Sequence, residues 1–195
     1  MKMEITLVLP AYNEEEHIEK SFLNIKEGVS QFPEYNFNLF VIDDSSTDKT
    51  WDKILKYRDE YKLNMFCLPN KQNIGLDPTL KRGYEIVLGT NTKAIIKTDL
   101  DSDFNQKIVL EKLVPYIKTD KNIAVGVRCR EISKKENPYE FKRKQEILRI
   151  LREEFNITDF DPPSLGSQFY KRGFLEDILT HPMVKNHKKN GVLIY

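Results

Sequence analysis

Apolar and polar positions fall into alternating blocks over the first two-thirds of the chain. Ile5-Thr6-Leu7-Val8-Leu9 is a nearly continuous apolar run stopped by Pro10, and Leu39-Phe40-Val41-Ile42 is a second. Short runs of this kind predict strands covered on both faces. Met65-Phe66-Cys67-Leu68 is a third and weaker run, Ala94 to Thr98 a fourth, and Ile123-Ala124-Val125-Gly126-Val127 a fifth. Between them the period changes to that of a helix. Ile18, Phe22, Ile25 and Val29 share one stripe of a helix predicted over Glu14 to about Gly28, with acids in its first turn. Ser46, Thr47 or Asp48 is expected to cap a second helix through Trp51, Ile54, Leu55 and Tyr57. Pro78 suits the first turn of a third, which carries Leu80, Tyr84 and Val87, and a fourth is predicted from about Asn105 to Ile117. Repeated strand–helix units imply right-handed crossovers and an α/β fold with a Rossmann-like, mainly parallel sheet flanked by helices.

Past Arg128 the pattern changes. Glu131 to Pro138 is charged and reads as a loop. Tyr139 to Phe155 reads as a helix with Phe141, Leu148, Leu151 and Phe155 on one stripe, and Lys142, Arg143, Lys144, Arg149 and Arg152 on its other face. Two readings stay open: a surface helix packed by its stripe, or a basic amphipathic helix lying on an anionic membrane. Gly166 to Tyr170 reads as a further strand, leading to a short helix around Leu175 to Leu179.

A length of 195 residues suits one well-buried domain. With 39% apolar and 31% charged residues, the composition is that of a globular protein with a charged surface. A net charge of +1 provides no field that favours nucleic acid, and no nucleic-acid motif is present. Cys67 and Cys129 lack metal spacing and read as reduced thiols, and His17, His181 and His187 are scattered without zinc-type pairing. Met1-Lys2-Met3-Glu4 leads straight into a strand, so no signal peptide is expected, and no apolar run approaches the roughly 18 residues of a membrane span. The expected location is cytoplasmic, with room for peripheral association at the cytoplasmic membrane face. Oligomeric state is left open.

In an open parallel sheet, ligands bind at the carboxyl ends of the strands. Pro10-Ala11-Tyr12-Asn13-Glu14 follows the first strand, Asp43-Asp44-Ser45-Ser46-Thr47-Asp48 the second, and Asp99-Leu100-Asp101-Ser102-Asp103 the fourth. Each alone is explained by a proline stop, a helix cap or a turn. Together they would put an aromatic ring and several carboxylates along one edge. Two carboxylates one residue apart can share a hard divalent cation that keeps other positions for phosphate and water.

These segments resemble the motifs of inverting family 2 glycosyltransferases, which have the GT-A fold. Leu7-Val8-Leu9-Pro10-Ala11-Tyr12-Asn13-Glu14 is similar to the opening of that family, and Val41 to Thr50 to its second motif. Asn73-Ile74-Gly75 followed by Lys81-Arg82-Gly83 resembles its asparagine–glycine helix start, and Asp99-Leu100-Asp101 its Asp-x-Asp signature. Ala124 to Arg128 resembles the strand and arginine that follow. Asp161-Pro162-Pro163-Ser164-Leu165-Gly166-Ser167-Gln168-Phe169-Tyr170-Lys171-Arg172 looks like a late motif of the polyprenol-phosphate (dolichol-phosphate) mannosyl- and glucosyltransferases.

The resemblance implies roles by position. Pro10, Tyr12 and Glu14 would line the nucleoside pocket. Asp44 would hydrogen-bond the base or ribose of a GDP- or UDP-linked sugar, and Asp43 would brace the turn. Asp99 and Asp101 would hold Mg2+ or Mn2+ against the diphosphate, with Leu100 also on the nucleotide. Asp103 stands where the polyprenol-phosphate enzymes often carry glutamine, so an acid there would alter metal binding. Arg128, with Arg143 as a further candidate, would contact phosphate or acceptor. Residues 1–128 would form the nucleotide-sugar half and 129–195 the acceptor side, shortened at its C terminus relative to the family.

The acceptor decides what else is needed. A hydroxyl must lose its proton to a carboxylate, for which Asp103 and Asp161 are candidates. A phosphate monoester, with a second pKa of about 6, is already largely deprotonated and instead favours nearby cations, offered by Arg128, Arg143, Lys171 and Arg172. Three rivals remain: a nucleotidyltransferase, which would be expected to carry a glycine- and arginine-rich loop after the first strand; a nucleotide-sugar binder without catalysis; and a phosphoacceptor domain, whose acidic pair would follow the first strand rather than the second.

Overall fold

The structure is a computed structural model. It describes residues 2–101, 105–128 and 166–180, and the helical positions 142, 145, 146, 149, 152 and 153. The elements in chain order are β1 (Met3–Ala11), α1 (Ile18–Ser30), β2 (Tyr35–Asp43), α2 (Thr50–Tyr61), β3 (Met65–Pro69), α3 (Leu76–Leu88), β4 (Ala94–Lys97), α4 (Gln106–Leu113) with a 3-10 turn (Val114–Lys118), β5 (Ala124–Arg128), β6 (Gly166–Lys171) and α5 (Arg172–Thr180).

The strands form one sheet in the order β3-β2-β1-β4-β6-β5. The β1–β2, β1–β4 and β2–β3 pairs are parallel, whereas β6 runs antiparallel to both β4 and β5. The expected mainly parallel α/β sheet is therefore present. The insertion of β6 between β4 and β5 has no signature in a strand-by-strand reading.

Side chains alternate between two cores. Ile5, Leu7, Leu9, Leu39, Val41 and Ile96 pack against Ile18, Phe22, Ile25, Ile54 and Leu110 on one face. Val8, Ile42, Ile95 and Tyr170 pack against Leu80, Tyr84, Val87 and Leu175 on the other. Covering both faces explains the continuous apolar runs. Helix α3 lies close against its face because Gly83 has no side chain. A Cβ there would overlap Ile42 Cδ1 and come within 3.1 Å of Val8 Cγ1.

Several element ends differ from expectation. Pro10 does not stop β1, which continues to Ala11. The β1–β4 pairing ends at Val8–Lys97 while β1–β2 continues to Ala11–Asp43, so Pro10 lies where the strand is paired on one side only and a missing N–H is tolerated. Helix α1 starts at Ile18 rather than Glu14; the turn before it is joined to the α2 entry, with the N–H groups of Glu14 and Glu15 bound to Thr50 Oγ1 and Asp48 Oδ2. The N-cap of α2 is Lys49, which makes no side-chain cap bond; Asp48, one residue earlier, accepts from the Thr50 N–H at 2.9 Å. Asn105 caps α4, and Pro115 falls where that helix tightens into the 3-10 turn.

Candidate active site

The carboxyl ends of β1, β2 and β4 lie side by side, and a cleft of about 310 Å³ opens above them on the α3 face. Its walls include Pro10, Tyr12 and Glu14 from the first strand end, Asp44 from the second, and Asp99, Leu100 and Asp101 from the fourth. Asn73, Gly75, Leu76 and Thr79 close it from the start of α3. Three segments separated by tens of residues in the chain thus share one cavity.

The loops after β1 and β2 are bound to each other. The Asn13 N–H donates to Ser46 Oγ at 3.0 Å, and Asn13 Oδ1 accepts from the Thr47 N–H at 2.8 Å. The Lys49 N–H donates to Glu15 Oε2, and Lys53 Nζ to the Glu15 carbonyl. Asn13 and Ser45 take left-handed φ values of 55° and 62°. Such strain persists only where surroundings over-determine it, and these cross-loop bonds do so. Asp43 is buried and braces this turn, accepting from the Ser46 N–H at 3.2 Å and its hydroxyl at 2.5 Å.

Asp44 closes the other side of the cleft. Its Oδ1 accepts from Asn70 Nδ2 at 2.6 Å and the Ile74 N–H at 3.0 Å, and its Oδ2 accepts from the Gly75 N–H at 2.8 Å. Gly75, at φ 86° and ψ 164°, occupies a region open essentially to glycine alone, although the space around it is empty. Asn70 also donates to Thr79 Oγ1 and accepts from Arg82. One oxygen of Asp44, Oδ2, retains accepting capacity toward the cleft.

The segment after β4 is held from below. The Leu100 side chain is buried in the α1 core, and its carbonyl accepts from Ser21 Oγ at 2.9 Å. Gln106 Nε2 donates to the Asp99 carbonyl at 2.9 Å. With the backbone fixed, the Asp99 and Asp101 side chains are left at the cleft. Lys97 Nζ reaches Asp99 Oδ2 at 2.6 Å, and this lysine is 2% exposed. Glu14 faces the same acids. Its carboxyl is raised from 4.5 to about 7, first by burial and then by the charge of Asp101, with Asp99 and Asp48 adding smaller effects and His17 opposing them.

Hard oxygen donors and accumulated negative charge are what a divalent cation requires. Among the described residues no group of three or more His, Cys, Asp or Glu side chains could hold a metal. A cation between Asp99 and Asp101 would leave positions for diphosphate and water, which fits the habit of Mg2+.

Two sequence candidates are placed elsewhere. Lys171 pairs in register with Ala94 at the opposite end of β4, and its Nζ donates to the Ile117 carbonyl. Arg172 ties the carbonyls of Leu88, Thr90 and Thr92 together, also at that end. Both are fold-holding cations, and neither can serve an acceptor phosphate at the cleft. The backbone of Arg128 pairs with Gly166 at the carboxyl end of β5, on the same edge as Lys97. Asp103, Arg143 and Asp161 lie outside the described residues. On the basic helix, Arg149 is exposed and paired with Glu146 and Glu153. The sequence reading missed Lys97 and Asn70. Lys97 carried a signal, a charge inside an apolar strand; Asn70 did not, because its role depends on where Asp44 lies.

The family model described as glycosyl transferase family 2 matches residues 6–179. The chain belongs to glycosyl transferase family 2. Within that family it is similar to a dolichol-phosphate mannosyltransferase of Pyrococcus furiosus, 29% identical over 142 residues that cover 73% of this chain and 38% of the relative. It also resembles a dolichyl-phosphate beta-glucosyltransferase of Trichomonas vaginalis, 30% identical, covering 69% of this chain and 43% of the relative. This family 2 chain thus spans less than half the length of these curated relatives. Its fold matches that of a mannosyltransferase from Pyrobaculum calidifontis solved in complex with GDP-Man and Mn2+, with a TM-score of 0.62 at 18% identity, covering 91% of this chain and 47% of that one. The GT-A architecture is therefore shared. Among the described residues no helix is long and apolar enough to cross a membrane.

Proposed function

We propose that the chain carries the donor site of an inverting glycosyltransferase that moves a sugar from a GDP- or UDP-linked donor to an acceptor of the polyprenyl-phosphate class. The observation that carries this reading is the single cleft that gathers Tyr12, Glu14, Asp44, Asp99 and Asp101 from three strand ends. Tyr12 offers an exposed ring at the mouth for a base, and Asp44 a fixed acceptor for a base or ribose donor. Glu14 lines the same cleft beside Asp99 and Asp101, where the diphosphate would lie. Asp99 and Asp101 would hold Mg2+ or Mn2+, which, when bound, supplies Lewis-acid stabilisation of the departing diphosphate. Leu100, buried between them and lining the same cleft, would support the nucleotide from below.

The named relatives support a lipid-phosphate acceptor. Such an acceptor arrives with its nucleophilic oxygen already largely deprotonated, so no dedicated base is required. Arg128, at the carboxyl end of β5, is the residue proposed to attract it. Residues 1–128 then provide most of the donor site and 129–195 the acceptor side, although β6 from the latter is built into the same sheet. A lipid acceptor would bring the chain to a membrane surface through peripheral contact, and the cytoplasmic face is the proposed side.

Calorimetric titration with GDP and UDP, with and without Mn2+, tests the donor site. Asp101→Ala should abolish the metal-dependent part of binding while leaving the thermal transition intact; unchanged metal-dependent affinity would sink the assignment. Incubation with labelled GDP- and UDP-sugars and a short-chain polyprenyl phosphate then tests transfer. Binding without transfer or hydrolysis would favour a donor-binding domain, and transfer to a saccharide instead would point to a hydroxyl acceptor.

A further inference from the structure

Lys97 and Gln168 form a pair that the donor-site reading does not use. They are cross-strand partners in the antiparallel β4–β6 ladder, so their side chains leave the sheet on the same face, with Cα atoms about 5 Å apart. That face is the one below the cleft, since Lys97 itself lines it. Both side chains are buried, Lys97 at 2% and Gln168 at 1% exposure. Lys97 is bound to Asp99 at 2.6 Å. Among the described residues, neither Oε1 nor Nε2 of Gln168 has a hydrogen-bond partner. An amide buried with both ends unmade is costly, and natural proteins rarely keep one without a use.

A lysine ammonium and a divalent cation both seek the Asp99 carboxylate. A cation bound there faces repulsion from a fixed positive charge a few ångströms away, in surroundings that screen it weakly. Lys97 is 2% exposed, so its ammonium has little bulk water to turn to. A further buried acceptor on the same face would hold it away from Asp99. Gln168 Oε1 is a buried acceptor on the neighbouring strand, in register and unengaged.

We propose that Lys97 competes with the divalent cation for Asp99, and that Gln168 receives the ammonium when the cation displaces it. The pair then sets the metal affinity of the donor site. Lys97 makes binding of the cation alone weak, so tight binding awaits the extra negative charge of a nucleoside diphosphate. This makes Lys97 and Gln168 positioning residues, acting through Asp99 rather than on substrate. The inference rests on the reading of Asp99 and Asp101 as the metal carboxylates.

The test is Mn2+ binding to the full chain without nucleotide, followed by the electron paramagnetic resonance signal of free Mn2+. Lys97→Met should tighten binding about tenfold, because one positive charge next to the ion is removed. Lys97→Gln should do the same and serves if the methionine variant fails to fold. Gln168→Leu should weaken binding about threefold when Lys97 is present and have no effect in the Lys97→Met background, the signature of coupled neighbours in a double-mutant cycle. Unchanged or weaker binding in both Lys97 variants overturns the proposal, as does an equal effect of Gln168→Leu in both backgrounds. Asp101→Ala is the separating control. If it leaves Mn2+ binding intact, the metal site itself is misassigned; if it abolishes binding while the Lys97 variants fail to tighten it, only the competition is refuted.

Discussion

Replacing Asp44 by alanine removes the acceptor that closes the Asn70–Gly75 loop onto β2. Three donors lose their partner: the Asn70 amide and the N–H groups of Ile74 and Gly75. Asn70 is buried, but its Nδ2 keeps a second bond to Thr79 at 2.8 Å, so its loss is partial. The two N–H groups are part-buried, and water can replace some of what they lose. Hydrogen bonds to a charged acceptor contribute about 1.5–3 kcal/mol each when intact. Discounting the two part-buried bonds to about 1 kcal/mol each, and the Asn70 bond similarly, gives a destabilisation of about 3 kcal/mol. Asp44→Asn keeps one acceptor oxygen and should cost about half of that. Urea unfolding monitored by Trp51 fluorescence reads the midpoint and slope. Hydrogen exchange adds a local measure, since the Gly75 and Ile74 amides should lose protection before the β1 and β2 core. A loss below about 1 kcal/mol for the alanine variant, with those amides still protected, would refute the clamp and free Asp44 for a purely ligand-facing role.

Gly75→Ala forces a φ of 86° and ψ of 164° on a residue with a Cβ, so it should cost about 1–3 kcal/mol despite empty space around it; a neutral thermal shift would show that the loop relaxes. In metal-free protein the folded state keeps the Glu14 proton between pH 4.5 and about 7, where the unfolded chain releases it. Its contribution is full below pH 4.5 and is lost as pH rises through about 7. The difference in unfolding midpoint between the parent and Glu14→Gln should therefore change across that window, and a flat difference would contradict the raised carboxyl. Arg172→Ala leaves three carbonyls without their common donor and should lower stability by about 1–2 kcal/mol, with GDP and UDP affinity unchanged by calorimetry. A specific loss of nucleotide or acceptor binding would instead return Arg172 to the site.

Much of the cleft edge was legible in the sequence, because strand ends in a parallel sheet are marked locally. An apolar run followed by Pro10, Asp43 or Asp99 says where a strand hands over to a loop, and alternation with helices says that the loops share an edge. Helix starts were less legible. Glu14 has the composition of a first helical turn, yet α1 begins at Ile18, and the Glu14 N–H is bound to Thr50, a residue that composition cannot place beside it. Lys171 and Arg172 were misplaced for a related reason. Their charge suggested an acceptor site, yet an antiparallel β6 carries them to the far end of β4.

By itself, the sequence determined the α/β pattern, the family and the acids at the strand ends, since each depends on short-range spacing along single elements. Tertiary structure alone decided which groups remain available at that edge. Strand order and direction set the register that puts Lys97 beside Gln168 and Arg172 beneath Leu88. Loop packing committed Asp43 and most of Asp44 to holding the cleft open. Charge is written in the chain, but whether it faces a ligand, a carbonyl or another charge depends on partners that only folding brings within hydrogen-bond distance.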